Sequence, residues 1–492
     1  VEGYAPTTTI GRKPEGGGTV FEAVNMLTGK RINSFLGDGR SAEYWLDGKI
    51  DLTKPVTVKV SGQETSAYTK ENATRPGFTG EYGKITFTEA PADGGGIDNV
   101  LITFTAAGDF GADKIKNSRI CSFFGLGNDS RVFLSGNPDF PNTDWYSGNY
   151  APEYFPDTSY TEVGDDGAIM GYLKQYGEQI IIKEGDGGTI FLRSAMQEES
   201  LNITGEKTEK KTIFTVKEGI TGVGAAAMGA TEHINGDPVY LTNDGVYGFE
   251  SNSVTNQQVV QLRSFYINAK LKKENLKKAK LCKWGKYLIV AIEDEMYIAD
   301  TEQTNNNPEK YTGYEWYYWE LPISVTAIAE ADGRLLIGTV AGLYIFKDEA
   351  QEGMQAYSDE IGGQRKAISA MWTTPILYGG DFARYKTILK RGTCVLVKPF
   401  SRSSGEILMS TNKVLYKSAG EYTVDILDWD DIDFNRFTFE VRDEPRVKCY
   451  PKKHRKVLFF QMAIRHTAID EGWGINAMRI AYRMGSVTKK GN

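Results

Sequence analysis

Leu281-Cys-Lys-Trp-Gly-Lys-Tyr-Leu-Ile-Val290 reads as an apolar strand, a tight turn and a second strand. An acidic turn, Glu293-Asp294, then leads into an aromatic third strand, Met296-Tyr-Ile-Ala299. Short apolar runs bounded by turn residues are the signal of buried strands. The same unit recurs on both sides of this stretch. Upstream copies start at Tyr172, with Gly187-Gly188 before Thr189-Ile-Phe-Leu192, and at Ile234, with Asn243-Asp-Gly245 before Val246-Tyr-Gly-Phe249. A fourth copy starts at Ile328 and ends in Leu343-Tyr-Ile-Phe346. The copies lie roughly 45–60 residues apart, the spacing of propeller blades, each a four-stranded sheet. One blade cannot bury both of its faces, and radial packing of several covers them. Residues 107–360 are therefore expected to form β-propeller blades.

The flanking regions are also β in character. Residues 1–29, with Thr7-Thr8-Thr9 and Gly16-Gly17-Gly18, read as an extended entry linker. Residues 30–106 read as a small β-sandwich module. Val56-Thr-Val-Lys-Val-Ser61 alternates apolar and polar residues, and Ile85-Thr-Phe87 and Val100-Leu-Ile-Thr-Phe104 repeat the pattern between glycine-rich turns. Residues 361–492 form a last β region completing the propeller or its platform. Its strand candidates are Gly392–Lys398, Val424–Leu427, Phe437–Val441, Val457–Ile464 and Met478–Tyr482, and the tail from Val487 is expected to fray. The expected class is all-β: a β-propeller with an inserted small β-sandwich module and a C-terminal β domain.

Composition agrees. The 492 residues include 54 Gly, 27 Tyr and 23 Phe, which suits short strands joined by tight turns. The net charge of −7 argues against a protein coated with nucleic acid over its whole surface, but allows a local basic patch. No apolar run approaches the ~20 residues of a membrane span. The start, Val1-Glu-Gly-Tyr4, has neither Met nor a signal-peptide pattern, so the chain is expected to begin after a cleavage or partway into a longer protein. Cys121, Cys282, Cys394 and Cys449 are widely spaced and are expected to be free, mostly buried thiols of a reducing compartment.

Catalytic chemistry finds little to work with. His233, His454 and His466 are the only histidines, without a paired ligand motif, and are read as structural or surface residues. Asp428, Asp430, Asp431 and Asp433 lack the turn glycine and terminal Glu of a calcium loop, and read as a solvated strand edge. Glu184-Gly-Asp-Gly-Gly188 joins two strands, so it reads as a hairpin turn and not a phosphate cradle. Tyr314, Trp316, Tyr317, Tyr318 and Trp319 read as packing between blades, with sugar stacking as the alternative. No catalytic, metal or cofactor site is expected.

Two basic clusters remain. One holds Lys270, Lys272, Lys273, Lys277, Lys278, Lys280 and Lys283; the other holds Arg446, Lys448, Lys452, Lys453, His454, Arg455 and Lys456. They read as a solvated face or subunit contact, or as a sequence-independent contact to DNA. Lys272, Lys273, Lys277, Lys278, Lys452, Lys453 and Arg455 are the candidate contact residues.

Four stretches resemble a family of short-tailed phage proteins, the tail nozzle or packaged-DNA stabilisation (tail hub) proteins. The first is Tyr4-Ala-Pro-Thr-Thr8 with Asn25-Met-Leu-Thr28, Phe35-Leu-Gly-Asp-Gly39 and Ile85-Thr-Phe-Thr-Glu-Ala-Pro91. The most distinctive is Arg131-Val-Phe-Leu-Ser-Gly-Asn-Pro-Asp139 with Asp144-Trp-Tyr146 and Glu153-Tyr-Phe-Pro156. The others are Ala279 through Asp300, and Phe434 through Tyr482 with Gly474-Ile475. The resemblance implies a virion protein, assembled in the host cytoplasm, whose copies form a homohexameric ring below the portal and adaptor. That ring would meet tail fibre proteins, touch genomic DNA non-specifically, retain the packaged genome and support its ejection. It implies no enzyme and no catalytic residues. Family members usually carry strands upstream of the Tyr4 stretch, so the propeller as given is expected to lack a blade. The rival readings are another tail-tip or receptor-binding propeller, and a glycan-degrading tail enzyme using two carboxylates.

Overall fold

The computed structural model describes residues 3–201, 207–252, 257–307, 311–347, 352–430 and 432–488. Asp431 and the tail beyond 488 lie outside the described residues. The chain divides into two compact units, Val1–Ile345 and Phe346–Asn492. Both are β structures; none of the helices among the described residues is long and apolar enough to cross a membrane.

The first unit opens with a sandwich. One sheet runs in the order Thr19–Val20, Thr7–Arg12, Lys30–Phe35, Val100–Thr105, Thr57–Val60, Gln63–Thr65. The other runs Glu43–Trp45, Glu81–Phe87, Tyr68–Thr74. Alternation sends Val58, Ile85, Phe87, Val100, Ile102 and Phe104 into the shared core. The Tyr44 ring stands edge-on between Phe35 and Phe87, at 5.3 and 5.1 Å. Residues 1–29 are more than the expected linker: Thr7–Arg12 pairs parallel with Lys30–Phe35 as an inner strand. Arg12 is buried there and donates to the carbonyls of Gly17 and Trp45, which fixes the glycine run against the sheet.

Five successive antiparallel sheets follow among the described residues. Blade I is Ile120–Phe124, Arg131–Ser135, Thr143–Tyr146 and Tyr160–Glu162. Blade II is Ile169–Gln175, Glu178–Lys183, Thr189–Leu201 and Lys207–Thr221. Blade III is Thr231–Ile234, Asp237–Thr242, Gly245–Asn252 and Gln257–Leu262. Blade IV is Lys280–Trp284, Tyr287–Ile292, Glu295–Asn307 and Tyr311–Glu320. Blade V has three strands, Ala327–Ala331, Arg334–Thr339 and Gly342–Ile345. Each strand pairs with the next in sequence, and the first strands of consecutive blades lie side by side. This is the β-propeller arrangement, and blade I adds a copy that the repeat reading did not include.

The packing explains the sequence. A separate hydrophobic cluster fills each gap between consecutive blades from I to V. The second strands of blades II, III and IV are covered on both faces, so they read as continuous apolar runs such as Ile180-Ile-Ile182 and Leu288–Ile292. The first hairpins of blades II, III and V turn alike. Tyr176-Gly177, Asn235-Gly236 and Asp332-Gly333 all hold positive φ at both central residues, the turn whose twist matches paired strands.

The second unit is built from distant segments. Its largest sheet runs Ala370–Thr373, Phe460–His466, Arg402–Thr411, Val414–Asp425. Two three-stranded sheets run His454–Val457, Arg384–Ile388, Tyr482–Val487 and Arg446–Cys449, Cys394–Val397, Ile475–Arg479. They enclose Ile388, Val395, Val397, Ile407, Met409, Tyr450, Phe460 and Ile464. The hairpin Ser358–Ile361, Gln364–Ala367 also belongs to this unit, which begins at Phe346 and not at the expected residue 361. Phe437–Val441, expected as a strand, is irregular and lies at the surface.

Candidate functional site: basic clusters and an aromatic rim

The first basic cluster links blades III and IV. Helix Asn268–Leu271 and the short turn Leu276–Lys278 bury Leu271, Leu276 and Ala279 in the core between those blades. The intervening lysines must then face outward, and several meet carboxylates. Lys272 Nζ lies 2.7 Å from Asp244, and Lys278 pairs with Glu293. Lys270 Nζ sits 3.0 Å from the Tyr318 ring centroid and 3.4 Å from the Glu295 carboxylate. Among the described residues, Lys273 and Lys277 make no ion pair. Part of the expected charge is thus neutralised in place.

Beside Lys270, two carboxylates converge on one hydroxyl. Tyr297 Oη donates to Glu274 at 3.2 Å and to Glu295 at 2.8 Å, and Tyr318 Oη donates to Glu295 at 2.8 Å. Burial, then the Glu295 charge, pushes the Glu274 carboxyl up. Burial also acts against a charged Glu295, but hydrogen bonds from Tyr297 and Tyr318 and the charge of Lys270 outweigh it and hold that carboxyl down.

The second cluster is less neutralised. Lys448 Nζ donates to the Thr423 carbonyl at 2.6 Å, Lys452 to Ser418 O, and Lys413 to Arg455 O at 3.1 Å. These bonds fix the side chains on carbonyl groups, while Arg446 of the same cluster pairs with Glu440 at 3.3 Å. Among the described residues, Lys453 and the Arg455 guanidinium have no carboxylate partner. His454 bonds Tyr450 Oη at 2.5 Å; burial, then Lys417 and Lys452, lowers its pKa. The charge of the chain is divided to match. Residues 346–492 hold 24 Lys and Arg against 18 Asp and Glu, whereas residues 1–345 hold 33 against 46.

An aromatic rim, which pattern reading did not single out, occupies residues 426–430 and 432–445, which form no strand and hold one short 3-10 turn, Phe434–Arg436. Trp429, Phe434 and Phe439 are 78, 86 and 83% exposed. Phe437 stacks on Phe434 at 6.3 Å and meets Phe439 edge-on at 4.9 Å. The segment is pinned underneath. Arg436 pairs with Asp425 at 2.5 Å and with Glu471, Arg402 reaches Asp433 at 3.5 Å, and Ser401 Oγ donates to Asp428 at 2.5 Å. Asp428 and Asp433 therefore cap a loop, where a strand edge was expected.

Known proteins add little. No protein-family profile matches the sequence, and no curated protein does. Solved structures that resemble it include the CNH domain of AfRom2, at 9% identity over 67% of this chain and 91% of that one, TM-score 0.29. Sqt1 of Saccharomyces cerevisiae is 12% identical over 58% and 83%, TM-score 0.27. Hsv2 of Kluyveromyces lactis is 12% identical over 46% of this chain and 60% of its own, TM-score 0.24. The propeller assignment rests on the sheet topology above.

The remaining sequence candidates fall into structural roles. His233 Nε2 meets the Lys174 backbone N at 2.9 Å, and His466 Nδ1 meets Ser404 O at 2.8 Å. Glu184–Gly188 is the turn between two strands of blade II. Tyr314 and Trp316 pack between blades III and IV, and Trp319 between IV and V, while Tyr317 and Tyr318 remain exposed. Cys121 and Cys449 are exposed, where buried thiols were expected.

Proposed function

We propose that this chain is a structural subunit of a phage tail, a nozzle or hub protein. Its copies assemble into a closed ring below the portal and adaptor, continuing the DNA channel, retaining the packaged genome and supporting ejection. The aromatic rim carries the assembly part of this reading. Three large rings held in water by a pinned backbone are costly in an isolated chain, and exposed apolar patches of this kind mark contact surfaces. A ring needs a heterologous interface that closes, and the rim supplies one half of such a contact. The basic surplus of residues 346–492 supports contact with DNA, since Lys453 and Arg455 keep uncancelled charge for phosphates. Light scattering on the purified chain over a range of concentrations tests the reading. A single species several times the 54.6 kDa chain mass supports it, and a monomer at every concentration overturns it.

A further inference from the structure

Cys394 and Cys449 are 55 positions apart, yet the fold sets them face to face. Strand Cys394–Val397 lies between Arg446–Cys449 and Ile475–Arg479, and its register puts Cys394 opposite Cys449 on one side and Arg479 on the other. The kind of pairing follows from one bond. Tyr450 N donates to Thr393 O at 2.8 Å, joining the residue after Cys449 to the residue before Cys394. In an antiparallel ladder that bond flanks a non-hydrogen-bonded pair, whose Cα atoms stand about 4.5 Å apart with their side chains close together. A disulfide spans Cα separations of roughly 4.4–6.8 Å, so the backbone need not move far to accept one. Val395 and Val397 point into the core, so Cys394 and its neighbour Cys449 share the opposite, open face. Cys449 is exposed and Cys394 half-buried, and both are free thiols.

We propose that Cys394 and Cys449 are a redox-active dithiol that reacts with small anionic disulfides of the glutathione type. Arg479, opposite Cys394 in the same cross-strand row, supplies cationic charge for the reagent's carboxylates. The Cys449 sulfur, having lost its proton, attacks one sulfur of the small disulfide. That S–S bond breaks, and one small thiolate leaves and takes up a proton. The deprotonated Cys394 sulfur then attacks the Cys449 sulfur of the mixed disulfide and expels the second small thiolate. The protein loses two hydrogens as a cross-strand disulfide forms, and the reagent is reduced to two thiols. The bond ties edge strand Arg446–Cys449, and with it the start of the basic segment, to the strand beside it. The other two cysteines offer no such pair: Cys282 is buried in blade IV, and Cys121 faces Leu134 across its ladder.

The test incubates the full chain with oxidised glutathione and maps its peptides by mass spectrometry. The expected product links the Cys394 and Cys449 peptides within one chain, with the Cys121 and Cys282 thiols retained and full reversal by dithiothreitol. Cys394→Ser, checked for native circular dichroism, should stop at a stable glutathione adduct on Cys449. A native parent chain that keeps the adduct on Cys449 without closing the bond overturns the proposal. So does oxidation that falls equally on Cys121, or that links separate chains.

Discussion

Arg193 and Asp144 form an ion pair between blades I and II with neither side chain exposed. Arg193 Nη2 lies 2.9 and 2.7 Å from the two Asp144 oxygens, Nη1 donates to Gln179, and the guanidinium sits 4.5 Å from the Phe133 ring centroid. Tyr172 Oη adds a bond to Asp144 at 2.9 Å. Removing one partner strands a charge in the core, so Arg193→Met should cost about 3–5 kcal/mol in urea unfolding. Replacing both, as Arg193→Met with Asp144→Leu, should recover much of that loss. A double variant no more stable than the single would show that the ring and hydroxyl contacts matter more than the charge.

Gly171 of blade II lies close against Thr231 of blade III. Its backbone conformation is open to any residue, but a Cβ there would lie 2.5 Å from Thr231 Cγ2. Gly171→Val should therefore destabilise by about 1–3 kcal/mol through overpacking. Pairing it with Thr231→Gly should relieve the clash. Denaturant midpoints for the two variants check this.

The blades are legible because their signals are local: hairpin turns such as Asn235-Gly236 beside runs buried on both faces. Blade I escapes because its connections are irregular, with residues 125–130 and 147–159 spacing its strands unlike those of the other blades. Thr7–Arg12 escapes because its partner is parallel and lies beyond a loop, which no hairpin pattern announces. Phe437-Thr-Phe-Glu-Val441 alternates like a strand, but alternation cannot tell a core-facing stripe from rings aimed at water. The two basic clusters are visible, but not which lysines are cancelled, since Asp244 and Glu293 arrive from other turns. The opposition of Cys394 and Cys449 depends on a register set across half of the second unit.

That difference in cancellation predicts which lysines matter for DNA. Lys453→Glu with Arg455→Glu should weaken binding to duplex DNA and flatten its salt dependence by about 0.9 in log–log slope per lost phosphate contact. Lys272→Gln and Lys278→Gln, whose ammonium groups already face Asp244 and Glu293, should change the slope less. Filter binding across a salt series reads both. Equal effects from the two pairs would remove the distinction.

His454 predicts a pH response of the same region. Burial, with Lys417 and Lys452, holds its folded pKa below the unfolded value of about 6.5. The unfolded chain then binds more protons in the window between the two values. His454 should subtract stability as pH falls from about 6.5 toward the folded pKa. His454→Gln should flatten that part of the stability profile. An NMR titration placing the folded pKa at or above about 6.5 would contradict it.

The aromatic rim separates folding from assembly. Trp429, Phe434 and Phe439 contribute little to the core of the isolated chain, so replacing all three by Ser should shift its unfolding free energy by no more than about 0.5 kcal/mol per site. If the rings lie between subunits, the same triple variant loses buried aromatic area in every copy, and the assembled species should dissociate at concentrations where the parent holds. Arg436→Ala should act indirectly, by releasing the segment from Asp425 and Glu471 while leaving the rings in place. Light scattering and urea unfolding on the same samples distinguish these effects. A triple variant that keeps the parent's assembled mass would move the contact surface away from residues 426–445.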